Sequence, residues 1–384
     1  MSGFPSCRAA IVGAASFGTP FCPGYEPVDM AAVAARDALA QAGLTFADVD
    51  GVFYTGSDDT FGGAMNFAQY CGIAAPRVLD NSRTGGNVFE SYVERAVYFL
   101  DAGLIDCALI AYGSNQASAT GKLSRTNKPF PYEARYQPLA PLSSYALAAA
   151  RHMHEFGTTK QQLGEVAVAA RRWAQLNPDA LMRDPLTMDD YLSSRMISDP
   201  LGKLDCCLVT DGAAALVLTR SDRARDCHAQ PVYVAGAASM ASHSHISHMP
   251  DLTTTALAEC GPRALAQAGV TVNDIDVVQL YDAFTINTIL FLEDLGFCPK
   301  GEGGRFVEDG HIAPGGKLPV NTNGGGLSCL HPGMYGMFTL LEAVGQLRGE
   351  CGERQIKGAA RAIAQGNGGV LSAQSVCILT NQVD

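Results

Sequence analysis

The sequence predicts an α/β fold built from two related halves. Three observations support this prediction. Two stretches of the chain are similar at a constant spacing of 226 residues, each copy has a strand–helix–strand order, and each half contains a glycine-rich turn that leads into a helix. The elements are justified below in the order in which the chain presents them.

The repeat consists of "ARDALAQAGLTFADVDGVFYT" (35–55) and "GPRALAQAGVTVNDIDVVQLY" (261–281), in which ten of the 21 aligned positions are identical. Alanine-rich composition would explain the shared "ALA", but it does not explain the matched Thr, Asp, Asp and Val that follow. Runs ending in Gly-Ala-Ala-Ser, at 9–16 and 232–239, precede the copies. We therefore predict an internal duplication, with halves of about 1–225 and 226–384.

Each copy has the pattern of a β-α-β unit. A β-rich run precedes an apolar-periodic helix, Ala-Gly ends that helix, and a second β-rich run follows. This order predicts parallel strand pairing with a right-handed crossover.

The glycine-rich turns come next. "NSRTGG" (81–86) and "LPVNTNGGG" (318–326) each precede a helical pattern, and an apolar strand ends each half. Helix N-termini present unpaired N–H groups, so we expect the two turns to bind an anionic or polarised oxygen.

Residues 114–200 interrupt the first half. They contain the proline-rich "KPFPYEARYQPLAPLSSY" and two helical patterns. We interpret this segment as an insertion folded over the site and not as a separate domain. Long loops of this kind often determine specificity.

Composition excludes several classes of protein. A formal net charge of −11 argues against a nucleic-acid partner. No stretch reaches the roughly 18 apolar residues that span a bilayer, and the first residues do not resemble a secretory leader. The 12 cysteines form no C-x-x-C pair, so we expect no metal site. These features predict a cytoplasmic protein with reduced thiols.

Four motifs, in order, resemble those of the thiolase superfamily: "SRTGG" (82–86), "YDAF" (281–284), "GGGLSCLHPG" (324–333) and "QGNGG" (365–369). The resemblance covers essentially the whole chain and is greatest for the sterol-carrier or lipid-transfer-type branch. It implies the thiolase fold, with duplicated βαβ-based halves in a five-layered α-β-α-β-α arrangement. It also implies a homodimer and a small OB-fold, zinc-ribbon partner protein in trans.

The family's functional residues are only partly present. His331 matches the histidine that polarises the thioester carbonyl, and Tyr281 stands at the oxyanion-hole position of the family. Ser82 occupies the position of the nucleophilic cysteine, and Gln365 that of the acid–base cysteine. The resemblance therefore implies the fold and the histidine without either expected thiol.

Three functions are compatible with these residues. The first is retro-aldol cleavage of a β-hydroxyacyl-CoA by Tyr281, Tyr335 and His331, as in homologues that act on steroid side-chain CoA esters. The second is thiolase or acyltransferase chemistry with Cys329 or Ser82 as the nucleophile, although Ser82 also suits a helix cap or turn. The third is non-catalytic binding of acyl-CoA or lipid.

A CoA ester as substrate would need contacts for its phosphates and its carbonyl group. The candidate binding residues are Arg83, Lys122, Arg125, Gly325 and Gly368. We expect no covalently bound cofactor, since CoA enters as part of the substrate. The sequence does not indicate the acyl group.

Overall fold

The computed structural model describes residues 3–56, 63–122 and 131–383. Over these residues the strands, in chain order, are β1 (Ala9–Phe17), β2 (Gly51–Gly56), β3 (Val78–Asp80), β4 (Cys107–Ser114), β5 (Met196–Ser198), β6 (Leu201–Gly202), β7 (Gly212–Arg220), β8 (Val232–Ala241), β9 (Val277–Gln279), β10 (Arg361–Gly368) and β11 (Ala373–Thr380). The helices are α1 (Pro27–Ala42), α2 (Gly63–Tyr70), α3 (Val88–Asp101), α4 (Gln116–Thr120), α5 (Leu142–Phe156), α6 (Lys160–Gln175), α7 (Met188–Leu192), α8 (Ser221–Ala224), α9 (Leu257–Ala268), α10 (Thr285–Leu295), α11 (Gly303–Phe306) and α12 (Gly336–Arg348).

Nine strands form one sheet in the order β3-β2-β4-β7-β1-β8-β11-β10-β9, and β5 pairs separately with β6. Strands β2 and β4 are parallel, as are β9 and β10, whereas β4–β7 and β10–β11 are antiparallel. Counted outward from the junction, β8-β11-β10-β9 of the second half corresponds to β1-β7-β4-β2 of the first, and β3 has no counterpart among the strands of the described residues. The halves meet where β1 pairs with β8.

The two halves of the sheet act as two β layers, and the helices add three α layers to give the order α-β-α-β-α. Helices α3 and α12 contact each other and strands of both halves, and so form the central layer. Helices α1 and α2 cover the outer face of the first half, and α9 covers that of the second, with α10 packed against α9. The predicted duplicated α/β fold is confirmed. We propose the connection between α8 and β8 as the boundary of the halves, next to the predicted residue 225.

The residues shared by the two repeat copies make the same bonds in each half. The backbone N–H and hydroxyl of Thr45 donate to Asp48 at 2.9 and 3.0 Å. The carboxylate of Asp50 accepts from the N–H groups of Asp106 and Cys107, where β4 begins. In the second half, the backbone N–H and hydroxyl of Thr271 donate to Asp274 in the same way. The carboxylate of Asp276 accepts from two backbone N–H groups where β10 begins. These contacts explain why the copies share polar residues.

The shared Ala-Gly pair also has a structural reason. Gly43 and Gly269 follow α1 and α9 with φ of 73° and 68°. This left-handed conformation ends a helix and is strained for residues with a Cβ atom. The predicted helix ends are therefore confirmed.

The insertion leaves the sheet between β4 and β7, which pair directly with each other from Cys107↔Thr219 to Ser114↔Gly212. It contains α4 to α7 and the β5–β6 hairpin. Helix α6 packs against a single π-helical turn at Gly325–Cys329 in the second half. The insertion therefore contacts the glycine-rich loop of the second half. Among the described residues, no helix combines the length and the apolar character that crossing a bilayer requires.

Glu90 is a buried carboxyl group in the central layer. Its Oε1 accepts a hydrogen bond from Thr339 of α12 at 2.8 Å, and its Oε2 has no partner among the described residues. Burial raises the pKa of Glu90 to about 8. Its protonated form is therefore the form that suits this position.

Replacing Glu90 with glutamine is expected to flatten the pH dependence of stability. Between its ordinary pKa of 4.5 and about 8, the folded protein holds a proton that the unfolded chain releases, so stability falls as pH rises through this window. The Glu90→Gln variant lacks this titration, and should exceed the parent by a few kcal/mol at pH 9 while matching it near pH 5. Urea unfolding at both pH values measures the difference.

The matched control is Glu353→Gln, which removes an exposed carboxylate. It should leave the pH dependence unchanged. Parallel stability curves for the parent and Glu90→Gln would show that Glu90 ionises normally in the folded protein.

Candidate active site

The candidate site lies where the carboxyl ends of β9 and β10 meet the second glycine-rich loop. Tyr281 follows β9 by two residues, and its backbone N–H donates to Gln365 in β10 at 3.0 Å. Gly86 of the first glycine-rich turn packs against the Tyr281 ring, since a Cβ atom on Gly86 would lie 2.1 Å from that ring. The first glycine-rich turn thus reaches the ring of Tyr281, which belongs to the second half.

Three predicted residues form a compact cluster of rings. The centroid of the Tyr281 ring lies 5.5 Å from that of His331 and 5.8 Å from that of Tyr335, with both pairs edge to face. His331 and Tyr335 lie 6.0 Å apart and nearly parallel. All three side chains are buried. The structure therefore brings together the residues that the retro-aldol hypothesis requires.

His331 has a fixed backbone and unpaired ring nitrogens. Its N–H donates to the hydroxyl of Thr210 at 3.1 Å, and its carbonyl oxygen accepts from the side-chain amide of Gln116 at 2.8 Å. Neither Nδ1 nor Nε2 has a hydrogen-bond partner among the described residues. Burial lowers the pKa of His331 to about 4. At neutral pH the ring therefore offers one N–H donor and one acceptor nitrogen to a ligand.

Both tyrosines are protonated in this environment. Burial raises the pKa of Tyr281 and of Tyr335 well above the usual value for a phenol. The Tyr335 hydroxyl donates to Oδ1 of Asn323 at 3.0 Å, and the Tyr281 hydroxyl has a long contact of 3.4 Å to the carbonyl oxygen of Gly333. The two phenols also differ in the smaller influences on their pKa. The backbone N–H of Tyr335 acts to lower the pKa of Tyr281, whereas the nearby Asp282 carboxylate acts to raise the pKa of Tyr335 further.

Asp282 is a site residue that the sequence did not single out. Its buried carboxylate accepts from the backbone N–H of Gly326 at 2.6 Å and from that of Leu327 at 3.4 Å. Burial raises the pKa of Asp282 to about 7. Gly325 has a φ of 65°, and a Cβ atom there would lie 2.0 Å from Asp282. The N–H groups of Gly325 and Gly326 are therefore not free, because Asn323 and Asp282 accept from them. Binding of a substrate oxygen by this loop and by the start of α12 stays a prediction.

A chain of side-chain amides connects Tyr281 to the insertion. Gln365, which accepts from Tyr281, donates to Gln374 at 2.7 Å, and Gln374 donates to Asn367 at 2.8 Å. Asn367 in turn donates to the hydroxyl of Tyr145 on α5 at 2.9 Å. Gln365 thus has a structural role at the position where the family has its second cysteine. No local signal in the sequence associates Tyr145 with the site, because 136 residues separate it from Tyr281.

Ser82 does not occupy the start of a helix. Helix α3 begins at Val88, so of the two structural roles predicted for Ser82 the helix cap is wrong and the turn residue is the one that fits. Its hydroxyl donates to Asp80 at 2.7 Å and accepts from Arg95 at 3.0 Å, and its carbonyl oxygen accepts from Tyr92. These bonds fix the turn after β3. The hydrogen-bond partners of the hydroxyl are thus a carboxylate and a guanidinium group, and neither is the imidazole that usually activates a serine nucleophile.

Replacing Ser82 with alanine is therefore expected to retain most of the activity. Loss of two hydrogen bonds to charged groups should lower the stability by about 1–3 kcal/mol. Steady-state kinetics and thermal unfolding of the variant test both expectations. A loss of turnover together with an acyl adduct on Ser82 in the parent, found by mass spectrometry, would instead identify Ser82 as the nucleophile.

Cys329 lies in the π-helical turn, two residues before His331. Its thiol accepts from the side-chain amide of Asn177 at 3.4 Å, and its carbonyl oxygen accepts from Leu181 at 3.0 Å. Burial, followed by the charge of Glu342, raises the pKa of the Cys329 thiol well above its usual value. The thiolate that nucleophilic catalysis needs is thus disfavoured.

The predicted CoA-binding residues differ in their surroundings where the structure describes them. Arg83 and Lys122 are exposed, and Arg125 lies outside the described residues. Gly368 packs against the start of α3, where its Cβ position is 2.1 Å from Oδ1 of Asn87. Their assignment to CoA stays a prediction. Within the described ranges, no group of three or more His, Cys, Asp or Glu side chains is arranged to hold a metal ion.

Comparison with known proteins defines the class. Residues 238–381 match the family described as thiolase C-terminal domain-like. Over 361 residues, the chain is 35% identical to the 17-hydroxy-3-oxo-4-pregnene-20-carboxyl-CoA lyase of Mycobacterium tuberculosis, and the alignment covers 90% of this chain and 92% of that protein. The chain belongs to the thiolase superfamily.

Other relatives specify the branch. The chain is 32% identical over 371 residues to the steroid side-chain-cleaving aldolase of Thermomonospora curvata, covering 91% of this chain and 92% of that one. The solved structure of the Ltp2-ChsH2(DUF35) aldolase superposes with a TM-score of 0.86 at 30% identity, covering 98% of each chain. Human mitochondrial 3-ketoacyl-CoA thiolase, at 17% identity and a TM-score of 0.72, shares the fold over 98% of this chain and 99% of that one.

Proposed function

We propose that this protein is a CoA-thioester aldol-lyase that splits a β-hydroxyacyl-CoA into a ketone or aldehyde and a shortened acyl-CoA. The observation that carries the proposal is the neutral His331, whose two unpaired ring nitrogens face a site flanked by two protonated tyrosines. The named activities of the relatives at 35% and 32% identity support it. Thiolase chemistry is not favoured, since Ser82 is bonded to charged groups and the Cys329 thiol is held protonated.

The reaction requires two proton transfers and one carbon–carbon bond cleavage. The β-hydroxyl group loses its proton to a base, and its oxygen becomes the carbonyl oxygen of the ketone or aldehyde. The electron pair of the Cα–Cβ bond passes to Cα and is delocalised into the thioester as an enolate. A proton donor then protonates Cα, which gives the shortened acyl-CoA without consumption of free CoA.

We assign the enolate-stabilising donor to His331, the base to Tyr281 and the proton donor to Tyr335. A donor aimed at the thioester oxygen has its largest effect where negative charge develops. Burial raises the pKa of both phenols; beyond that, the Tyr335 amide favours ionised Tyr281 and the Asp282 carboxylate disfavours ionised Tyr335, so we assign the base to Tyr281. Burial raises the pKa of Tyr281 in the free protein, so only a small fraction of this phenol is ionised at neutral pH. Because the base must be ionised to accept the proton, the rate should rise with pH.

We assign the acyl group to a cavity of about 710 Å³ beside the insertion. Helix α5 and the loop around residues 246–252 form its walls, with apolar side chains that include Ala146, Leu147, Ile246 and Met249. Tyr145, on the same helix, reaches the amide chain behind Tyr281. The volume suits a ligand of the size of a steroid or long acyl group.

We further propose that the protein acts in the cytoplasm as a homodimer with a small OB-fold, zinc-ribbon protein. The name of the Ltp2-ChsH2(DUF35) aldolase, which includes a DUF35 component, supports a partner in trans. Size-exclusion chromatography with light scattering, with and without a co-expressed DUF35 protein, measures the assembly. A monomer in both preparations would contradict this part of the proposal.

The activity test uses 17-hydroxy-3-oxo-4-pregnene-20-carboxyl-CoA, the substrate in the name of the mycobacterial relative, and a short aliphatic β-hydroxyacyl-CoA. Liquid chromatography with mass spectrometry should detect the ketone and the shortened acyl-CoA in the absence of free CoA. A dependence on free CoA, or an acyl adduct on Cys329, would support acyl transfer. Binding of both esters without any product would indicate a non-catalytic protein.

A further inference from the structure

A second cavity, of about 670 Å³, lies at the other end of the sheet from the ring cluster. Arg361, at the start of β10, lines it, whereas Gly368, at the end of β10, lies beside the candidate active site. An extended strand rises roughly 3.3 Å per residue, so about 23 Å separate the two ends. Thr380, paired with Arg361, and Gly269, at the end of α9, also line the cavity.

This cavity concentrates positive charge in an acidic protein. Its charged lining residues are four arginines and two aspartates: Arg8, Asp101, Arg220, Asp222, Arg225 and Arg361. Two of the arginines are paired. Arg8 bonds to Asp101 at 3.2 Å, and Arg220 bonds to Asp106 at 2.5 Å.

The other two arginines have no such partner. Within the described part of the chain, no hydrogen bond or ion pair is formed by the guanidinium groups of Arg225 and Arg361. Arg225 is exposed and Arg361 is half-buried. Arg361 is near enough to the exposed Asp274 for the two charges to interact, although the two form no direct ion pair. Two guanidinium groups in one cavity, neither in a direct ion pair among the described residues, indicate a local preference for an anion.

We propose that this cavity binds a small organic phosphate, with its phosphate groups on Arg225 and Arg361. The planar guanidinium group donates paired hydrogen bonds to phosphate oxygens. Apolar side chains form the rest of the lining and suit the organic part of the ligand: Ala235, Ala268, Val270, Ile378 and Val383. The cavity is separate from the residues assigned to catalysis, so it is a second ligand site and not part of the CoA ester's site.

Calorimetric titration with pyrophosphate and with ADP tests the proposal on the full-length protein. The double variant Arg225→Ala/Arg361→Ala should bind pyrophosphate about 100-fold more weakly than the parent, since each arginine contributes a charged hydrogen bond. The matched control is Arg305→Ala, which removes an exposed arginine paired with Glu302. It should bind as the parent does. ADP should bind more tightly than pyrophosphate because of the apolar wall.

Equal pyrophosphate affinity in the parent and the double variant, or no binding to the parent, would overturn the proposal. The KM for the CoA ester should be unchanged in the double variant; a raised KM would assign these arginines to the catalytic site instead.

Discussion

Replacing His331 with alanine is expected to lower kcat for β-hydroxyacyl-CoA cleavage by about 10²- to 10³-fold, the usual cost of losing one donor at a developing oxyanion. The physical reason is the environment of the ring. Burial keeps the imidazole neutral, and its two nitrogens are unpaired until a ligand arrives. The hydrogen bond from His331 is strongest in the transition state, where negative charge develops on the thioester oxygen. Its loss should therefore change KM much less than kcat. Steady-state kinetics on the purified variant measures both constants.

Folding must be separated from catalysis in this experiment. The backbone of residue 331 is held by Thr210 and Gln116, so the loop should persist without the ring. Thermal unfolding and circular dichroism check this. A second variant, His331→Gln, retains a side-chain donor and should recover part of the lost rate. The exposed His154 provides the control His154→Ala, which should be unaffected. Parental kcat in His331→Ala would exclude His331 from the reaction.

Replacing Tyr281 or Tyr335 with phenylalanine is expected to lower kcat by about 10²- to 10⁴-fold each, the usual contribution of a positioned acid or base. Phenylalanine keeps the ring contacts with His331 and removes only the hydroxyl group. Among the described residues, the Tyr281 hydroxyl donates to the carbonyl oxygen of Gly333 and the Tyr335 hydroxyl donates to the amide oxygen of Asn323, so the loss of either hydroxyl leaves no buried charge unpaired. Binding of the CoA ester should therefore be nearly retained.

The two tyrosines should also differ from each other. If Tyr281 is the base, the rise of kcat with pH should disappear in Tyr281→Phe and persist in Tyr335→Phe. The matched control is Tyr233→Phe, a buried tyrosine on β8 at the end of the sheet away from the ring cluster. It should keep the parental kcat. Parental turnover in both site variants would show that the two tyrosines only line the site and take no part in the reaction. It would then favour acyl transfer through Cys329.

The sequence by itself determined the duplicated α/β fold, because local chemistry repeats where structure repeats. Thr45 and Asp48 stabilise one turn, and Thr271 and Asp274 stabilise its copy, so the same residues recur at the same spacing. Helix ends at Ala-Gly were predictable for a related reason: the left-handed residue after a helix is most easily glycine. Short-range requirements of this kind leave a pattern that can be read directly from the chain.

The candidate site was only partly predictable. The motif loops indicated Tyr281, His331 and Tyr335, and these three rings do form a cluster. The sequence could not show that the Asp282 carboxylate accepts hydrogen bonds from the N–H groups of Gly326 and Leu327 in the glycine-rich turn. From the sequence alone, the side chain of Asp282 could be exposed or buried. Only the packed structure shows that it is buried against the glycine-rich loop.

Tertiary structure also decided the protonation states and the long-range contacts. Burial, a property of the whole fold, keeps His331 neutral, both phenols protonated and the Cys329 thiol un-ionised. The amide chain from Tyr281 to Tyr145 joins residues far apart in sequence, and the cavity with Arg225 and Arg361 is formed by opposite halves of the chain. The sequence determined which side chains were available. Their charge and their neighbours depend on the solvent that the fold excludes and on the distances that it sets.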